Sequence, residues 1–299
     1  TAQQPAPAAR NPQIKGRIAR LEVSDAVRTI VGINDKARDA KSRQQAMQKL
    51  TRNLSTADVK GLRLFLDSRA EEEKEMDPIY FNSIKNDALD ILLKQNNLPE
   101  SIGNDIVRMF RDGAQDDTWR DYCIQYFANY YNARWPMKND AAVEANAAAA
   151  DDAERKTMVT AYWEATEGRN NTFAGTALLA LERLSRDRPE FDRTQVGDKA
   201  VEVANDDNTH VASRLTALRI CGMMGRTDVL PTARALSQTG STGYLRMAAA
   251  ATIGDLGDKS DIELLQSLAA STQPNMMSIA ESAIKRINDR LSKADQTAK

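Results

Sequence analysis

The chain has 299 residues, 41% of them hydrophobic, with 41 Lys+Arg against 42 Asp+Glu and a formal net charge of −1. That length allows one large or two ordinary domains with ample core. The balanced charge argues against a protein whose main task is binding nucleic acid, and no run approaches the ~18 consecutive apolar residues of a membrane span.

The chain opens on Thr1-Ala-Gln-Gln-Pro-Ala-Pro-Ala-Ala-Arg10, without an initiator Met. This low-complexity stretch reads as a disordered tail over residues 1–13. Its Pro/Ala/Gln character fits an exported, for instance periplasmic, protein after leader removal, with a trimmed cytoplasmic chain as the alternative. A short helix is then expected from Ser24-Asp25 through Ile33, a second over Lys41–Leu54, and a third capped by Ser55 through Ser68. The acidic run Glu71–Glu75 reads as a solvated link. Ile79–Lys94 and Pro99–Arg111 are expected to pair as a hairpin, with Asn97-Leu-Pro-Glu100 as a start signal. Thr118–Trp135 follows, and residues 14–135 make an N-terminal helical half. Asn139–Ala150 holds seven Ala in twelve residues, so 136–150 is the candidate link. Residues 151–292 read as C-terminal repeats, with helices over 151–167, 172–186 and 194–205 ahead of the clearest copies, and 293–299 as a tail.

Seven of the sixteen aromatic residues lie between Trp119 and Trp135. Trp119, Tyr122, Cys123, Tyr126, Phe127, Tyr130 and Tyr131 form one helical stripe, the pattern of a buried face. Its C-terminal end has a second reading. Tyr130, Tyr131 and Trp135, with Arg134 beside them, are the amphipathic types that anchor partners. Eleven basic and four acidic residues lie between Arg10 and Arg52. They read either as solvated helix faces or as a phosphate-binding patch.

Near the C-terminus the chain repeats itself with a 32-residue offset. Arg214–Leu236 aligns with Arg246–Leu268, matching Arg214 to Arg246, Ala217 to Ala249, Gly222 to Gly254, Gly225 to Gly257, and Leu236 to Leu268. In the second copy Leu245, Ala248, Ala249, Thr252, Ile253 and Leu256 share one face. Gly254 and Gly257 are placed to end that helix, and Ser260-Asp-Ile-Glu263 has the form of a capping box. A weaker third copy begins near Ser278, with Met277, Ala280, Ala283, Ile284 and Ile287 on one face. A hairpin of this kind cannot bury its apolar face alone, so neighbours must cover it.

The string R-x-A-A-x-A-x-x-G-x-L-G-D, Arg246–Asp258, resembles the HEAT-like repeat of the phycobilin-lyase type. The Arg214 copy follows the same frame, with Arg226 where that family has Asp. The resemblance implies an all-α fold, an α-α superhelix of stacked helical hairpins, and a mostly non-catalytic scaffold. Lyase activity does not follow from it.

Arg214 and Arg246 are expected either to pair with carboxylates between units (Asp228, Asp255 and Asp258 being candidates) or to form an anion-binding ladder. His210 is the only histidine, and Cys123 and Cys221 lack C-x-x-C spacing. No parts are left for a His-based metal site, a Ser-His-Asp triad or a redox dithiol. Neither catalytic residues nor a cofactor is expected. The function expected is a protein-interaction scaffold for a protein or peptide partner, with binding through Tyr130, Tyr131, Arg134, Trp135, Arg214 and Arg246. The alternative is a nucleic-acid-binding, glycosylase-like solenoid using Trp119, Arg120 and Asp121. The Met-rich stretch Met223–Met277 and the basic Arg10–Arg52 segment are the other candidate surfaces.

Overall fold

The computed structural model describes residues 10–34, 39–74, 76–136, 148–240 and 242–297. Among them are fifteen α-helices, three short 3-10 turns and no strand: α1 (Arg10–Ala19), α2 (Asp25–Ile30), α3 (Ala40–Met47), α4 (Thr56–Leu66), α5 (Pro78–Leu93), α6 (Ile102–Arg111), α7 (Asp117–Arg134), α8 (Ala148–Ala165), α9 (Phe173–Leu184), α10 (Arg193–Asn205), α11 (Val211–Met224), α12 (Leu230–Thr239), α13 (Gly243–Leu256), α14 (Ile262–Ala269) and α15 (Pro274–Thr297). The chain divides into two compact units, 1–158 and 159–299, with the boundary inside α8. Most of the Ala-rich stretch, residues 137–147, lies outside the described residues, as do residues 1–9 of the tail.

In the first unit α5 is central and packs against α3, α4 and α7, while α6 lies on α7 and α1 on α4. Edge-to-face pairs Phe65–Phe81 and Phe110–Phe127, with centroids 5.5 and 5.7 Å apart, tie α4 to α5 and α6 to α7. Local chemistry sets several boundaries. Ser55 caps α4 by accepting from the Asp58 N–H at 3.0 Å, and Asp77 caps α5 by accepting from Ile79 N at 2.8 Å. The helix expected over Lys41–Leu54 stops at Met47. Backbone groups beyond it find partners elsewhere: Gln95 accepts from Leu54 N–H, and Asn96 N–H donates to the Arg52 carbonyl. The start expected at Pro99 falls at Ile102, because Ser101 adopts a left-handed φ of 56°.

Two expectations about the N-terminal third are corrected. Residues 10–13 are helical rather than tail, and α1 buries Asn11, Ile14 and Ile18. The acidic run is not a solvated link. Ala70–Glu72 is a 3-10 turn. Glu72 accepts from Asn11 N–H at 2.6 Å, while the buried Glu73 faces Lys15 at 3.0 Å and buried Arg43 at 3.6 Å. These carboxylates hold α1 and α3 against the rest of the unit.

The second unit is a stack of hairpins. Helices α9, α11, α13 and α15 pack serially as one layer; α10 lies on α9 and α11, α12 on α13, and α14 on α15. The 32-residue offset recurs exactly in helix starts, Val211 against Gly243 and Leu230 against Ile262. Small residues let the layer close. A Cβ on Gly175 would meet Ser213 Cα at 2.9 Å, and one on Gly254 would meet Ala283 Cα at 2.6 Å. Between α11 and α13, Thr252 Oγ1 donates to the Leu218 carbonyl at 3.1 Å.

Gly254 therefore serves close approach inside α13 rather than ending it. Gly257 has φ −71° and is not left-handed, whereas Gly225 closes α11 at φ 73°. The capping box also lies two residues earlier than expected: Asp258 accepts from Ser260 N–H at 2.8 Å, and Asp261 accepts from Asp258 N–H at 3.1 Å. In the third copy Met276 is buried and Met277 exposed. Helix α15 runs on to Thr297, through most of the expected 293–299 tail.

Candidate functional site

Burial sorts the expected binding residues. Tyr130 is 1% exposed and Tyr131 is fully buried. The Tyr130 hydroxyl donates to Glu154 Oε1 at 2.8 Å. Burial and that carboxylate push the phenol well above its ordinary range. Both rings pack against Trp135, with centroids 5.9 and 4.9 Å away. The two tyrosines are therefore interior groups and offer no anchor to a partner. Trp135 is half-buried, and Arg134 is surface-exposed with its Nε 3.9 Å from Glu154.

The repeated arginines share one structural job. Arg214 Nε donates to the Ala204 carbonyl at 3.1 Å, and Arg246 Nε donates to the Ser237 carbonyl at 3.2 Å. Each reaches back to the last turn of the preceding helix, where free carbonyls favour a cation. The carboxylates expected as their partners are engaged elsewhere. Asp228 pairs with Arg226 at 2.6 Å, Asp255 with Arg286 at 2.9 Å, and Asp258 caps a turn; Arg214 pairs instead with Asp207 at 2.8 Å. Arg214 is only 6% exposed, which leaves no ladder for an external anion.

Trp119, Arg120 and Asp121 do not converge on a groove. Trp119 is fully buried under the Lys85 ammonium, 4.2 Å from the ring centroid. Arg120 donates to the Phe110 carbonyl at 2.8 Å, and Asp121 accepts from Gln125 at 2.8 Å. The basic Arg10–Arg52 stretch is not one patch either, since Arg43 is buried and Lys15 and Arg10 are tied to Glu73 and Asp112. Among the described residues no group of three or more His, Cys, Asp or Glu is placed to hold a metal, and no helix is long and apolar enough to cross a membrane. His210 caps α11, its Nδ1 accepting from Ala212 N–H at 3.3 Å.

Lys85 is the one chemically unusual lysine on the described surface or interior. It is fully buried, and Nζ donates to the Ser68 carbonyl at 2.6 Å and Gln115 Oε1 at 3.0 Å. Burial drives its pKa down from 10.5 to about 7, partly offset by Cys123 and by the carboxylates of Asp67, Glu71 and Asp116. With no exposed atom it meets no substrate, so its chemistry is expressed as stability. Below about pH 7 the amine is protonated in both states. Above it, the folded chain releases a proton that the unfolded chain keeps until about 10.5, so stability rises with pH. Urea unfolding of the first unit should gain about 2 kcal/mol between pH ~6.5 and ~8.5, and Lys85→Met should flatten that slope. Above about pH 9 the buried thiols Cys123 and Cys221, both pushed up to about 12, reverse the trend.

A surface that offers apolar contact lies on the stacked layer of the second unit. A groove of about 450 Å³ runs over α11, α13 and α15, lined by Leu215, Met223, Tyr244, Met247 and Ile279. Tyr244 is 73% and Met223 51% exposed. The layer explains their direction: Leu245 is buried in the hairpin, so Tyr244 beside it in the first turn of α13 faces outward. At the groove's polar edge Arg286 is held by Asp255, while Arg219 is exposed and makes no hydrogen bond or ion pair with the described residues.

Helices α11 and α13 and the start of α15 fall within residues 197–285, which match the family model for HEAT repeats. This segment is similar to HEAT repeats. The match is to HEAT repeats in general, without the phycobilin-lyase subdivision. No curated protein matches the chain. HEAT repeats are commonly protein-interaction scaffolds, and the groove is formed by the layer of the HEAT array in which successive repeats pack directly on each other. The sequence singled out the Met223–Met277 stretch only by its methionines. Tyr244, Leu215 and Arg219 carried no separate signal, because a single exposed residue beside a buried periodic face looks like any solvated position.

Proposed function

We propose that this chain is a non-catalytic scaffold that binds a segment of a protein partner in the α11–α13–α15 groove of its HEAT repeats. The observation that carries the reading is a pair of large exposed apolar side chains, Tyr244 and Met223, beside the partly buried Leu215, Met247 and Ile279 on the repeat surface. Tyr supplies a stiff anchor with little rotamer entropy to lose, and Met adapts its shape to a partner. The uncompensated Arg219 favours a segment that sets an acidic residue beside its apolar anchors.

Because both anchors project from the folded surface, the double change Tyr244→Ala and Met223→Ala should leave the melting temperature unchanged. It should weaken capture of a native partner by about 2 kcal/mol or more. Quantitative co-purification with wild type and the double variant checks this. Equal recovery of the partner with both would place recognition elsewhere on the molecule.

A further inference from the structure

We propose that the first unit carries a binding site for a dianionic phosphate group, in a cleft walled by Arg10, Arg69, Arg108 and Arg111. The cleft has a volume of about 500 Å³, ample for a phosphate and the start of whatever bears it. One face of α6 supplies Asn104, Val107, Arg108 and Arg111, which recur at helical spacing. Buried Val107 forms an apolar base. Arg10 comes from the first turn of α1, and Arg69 from the turn that follows α4.

The charge in the cleft is not balanced from within. Four guanidinium groups line it against one carboxylate, Asp112. Asp112 is bound to Arg10 at 2.6 Å and held below the usual carboxylate range by that hydrogen bond against the cost of burial. Arg108 is anchored from behind by Asp67 at 2.6 Å and Asp105 at 3.4 Å, two carboxylates that line a different groove. Asp67 and Asp105 thus hold Arg108 from the side of that other groove, while Asp112 holds Arg10 from within the cleft.

Arg69 is the telling residue. Its main chain is clamped by Asn11, which accepts from Arg69 N–H at 2.7 Å and donates to its carbonyl at 2.8 Å. Its nearest carboxylate, Glu72, lies 3.8 Å away and is already bonded by Asn11 N–H. Its Nε is buried with no hydrogen-bond partner. A buried N–H on a cation is costly to leave unbonded, and Arg69 is one of the residues that line the cleft. The side-chain amide of Asn104 is likewise unbonded among the described residues and stands on the same wall.

The class of anion follows from the donors. Arginine forks match the oxygens of phosphate bidentately, and a phosphate monoester carries about −1.5 to −2 at neutral pH, enough to answer several cations at once. A carboxylate offers two acceptor oxygens to these forks where a phosphate monoester offers three. A nucleic-acid backbone fits poorly, because no aromatic side chain lines the cleft to stack a base and one pocket is not a track.

Titration calorimetry of the full chain with inorganic phosphate, ionic strength held constant with chloride, tests the site. Wild type should bind one phosphate per chain. Arg69→Gln and Arg111→Gln should each weaken binding about tenfold or more, with circular dichroism unchanged. Arg69→Lys should fail to restore full affinity, since it keeps charge but loses the fork. A phosphoserine peptide should bind at least as well as inorganic phosphate, and its unphosphorylated form should not bind; tighter binding by the peptide identifies a phosphorylated protein as the source. If Arg69→Gln unfolds the chain, Arg111→Gln alone decides. No binding to wild type at millimolar phosphate, undiminished binding by a folded variant, or preference for an oligothymidylate over phosphate would each overturn the site.

Discussion

Ending the chain at Thr272, before α15, is expected to lower the melting temperature of the second unit by roughly 10–20 °C, from a loss on the order of 5 kcal/mol. In a stack each hairpin is stable largely through its neighbours, and α15 is the last element of the layer. It contributes Met276, Ala280, Ala283 and Ile287, all buried, and covers Ile253, Leu265 and Leu268 of the preceding hairpin. It also completes the C-terminus of α13. Arg290 donates to the carbonyls of Gly254 at 2.6 Å and Gly257 at 2.7 Å, and Arg286 donates to that of Ala251 at 3.0 Å. The Gly254 carbonyl, in the last turn of α13, has no i+4 partner within the helix and would be left to water. Removing the helix therefore strips an apolar cover and a cation cap together. Differential scanning calorimetry of the truncated chain measures the loss, and a melting temperature unchanged within error would show that α15 is not a packed cap.

How much of this was legible in the sequence depends on the range of the interactions involved. The hairpin stack was readable because its cause is local and repeated: the same apolar face, the same small residues and the same arginine recur after 32 positions. What the repeated arginine does was not readable. Its partners are main-chain carbonyls of the preceding helix, Ala204 and Ser237, and a carbonyl leaves no mark in a sequence. Hence the search for carboxylates at Asp228, Asp255 and Asp258 found the wrong partners. Gly254 shows the same limit, because an end-of-helix glycine and a close-approach glycine look identical until Ala283 is brought against it. The N-terminal third was harder still. Helix α1 is short and polar, and it is held by Asn11 bonding to Arg69 and Glu72, some 60 residues away. Of the two proposed surfaces, the groove was legible only as a methionine-rich region. The arginine cleft was not visible at all, since it joins one face of α6 to single residues from α1 and the turn after α4.

Replacing Tyr130 by Ala should destabilise the first unit by about 3–5 kcal/mol, the range for removing a large aromatic ring from a core. The aromatic stripe of α7 invites two readings that this substitution separates. Were Tyr130 a partner anchor, the loss would fall on binding and the fold would be untouched. The geometry requires the reverse. The ring lies against Gly103 on α6, where a Cβ would collide with it, and packs edge-on to Trp135. Its hydroxyl is the donor to Glu154, a carboxylate 7% exposed with Arg134 Nε 3.9 Å away. Truncation to Ala opens a cavity between α6 and α7 that their packed backbones cannot close, and it leaves the Glu154 oxygen without its donor. Tyr130→Phe isolates the second part. It keeps the ring and removes only the hydroxyl, so it should cost about 1–3 kcal/mol, the desolvation penalty of an acceptor left unbonded. Urea unfolding of both variants gives the two increments. A Tyr130→Ala protein with wild-type stability and lost partner binding would return this residue to the surface; a loss in Ala several times that in Phe assigns the stripe to the core, where α7 uses it to hold α5 and α6 in place around the cleft.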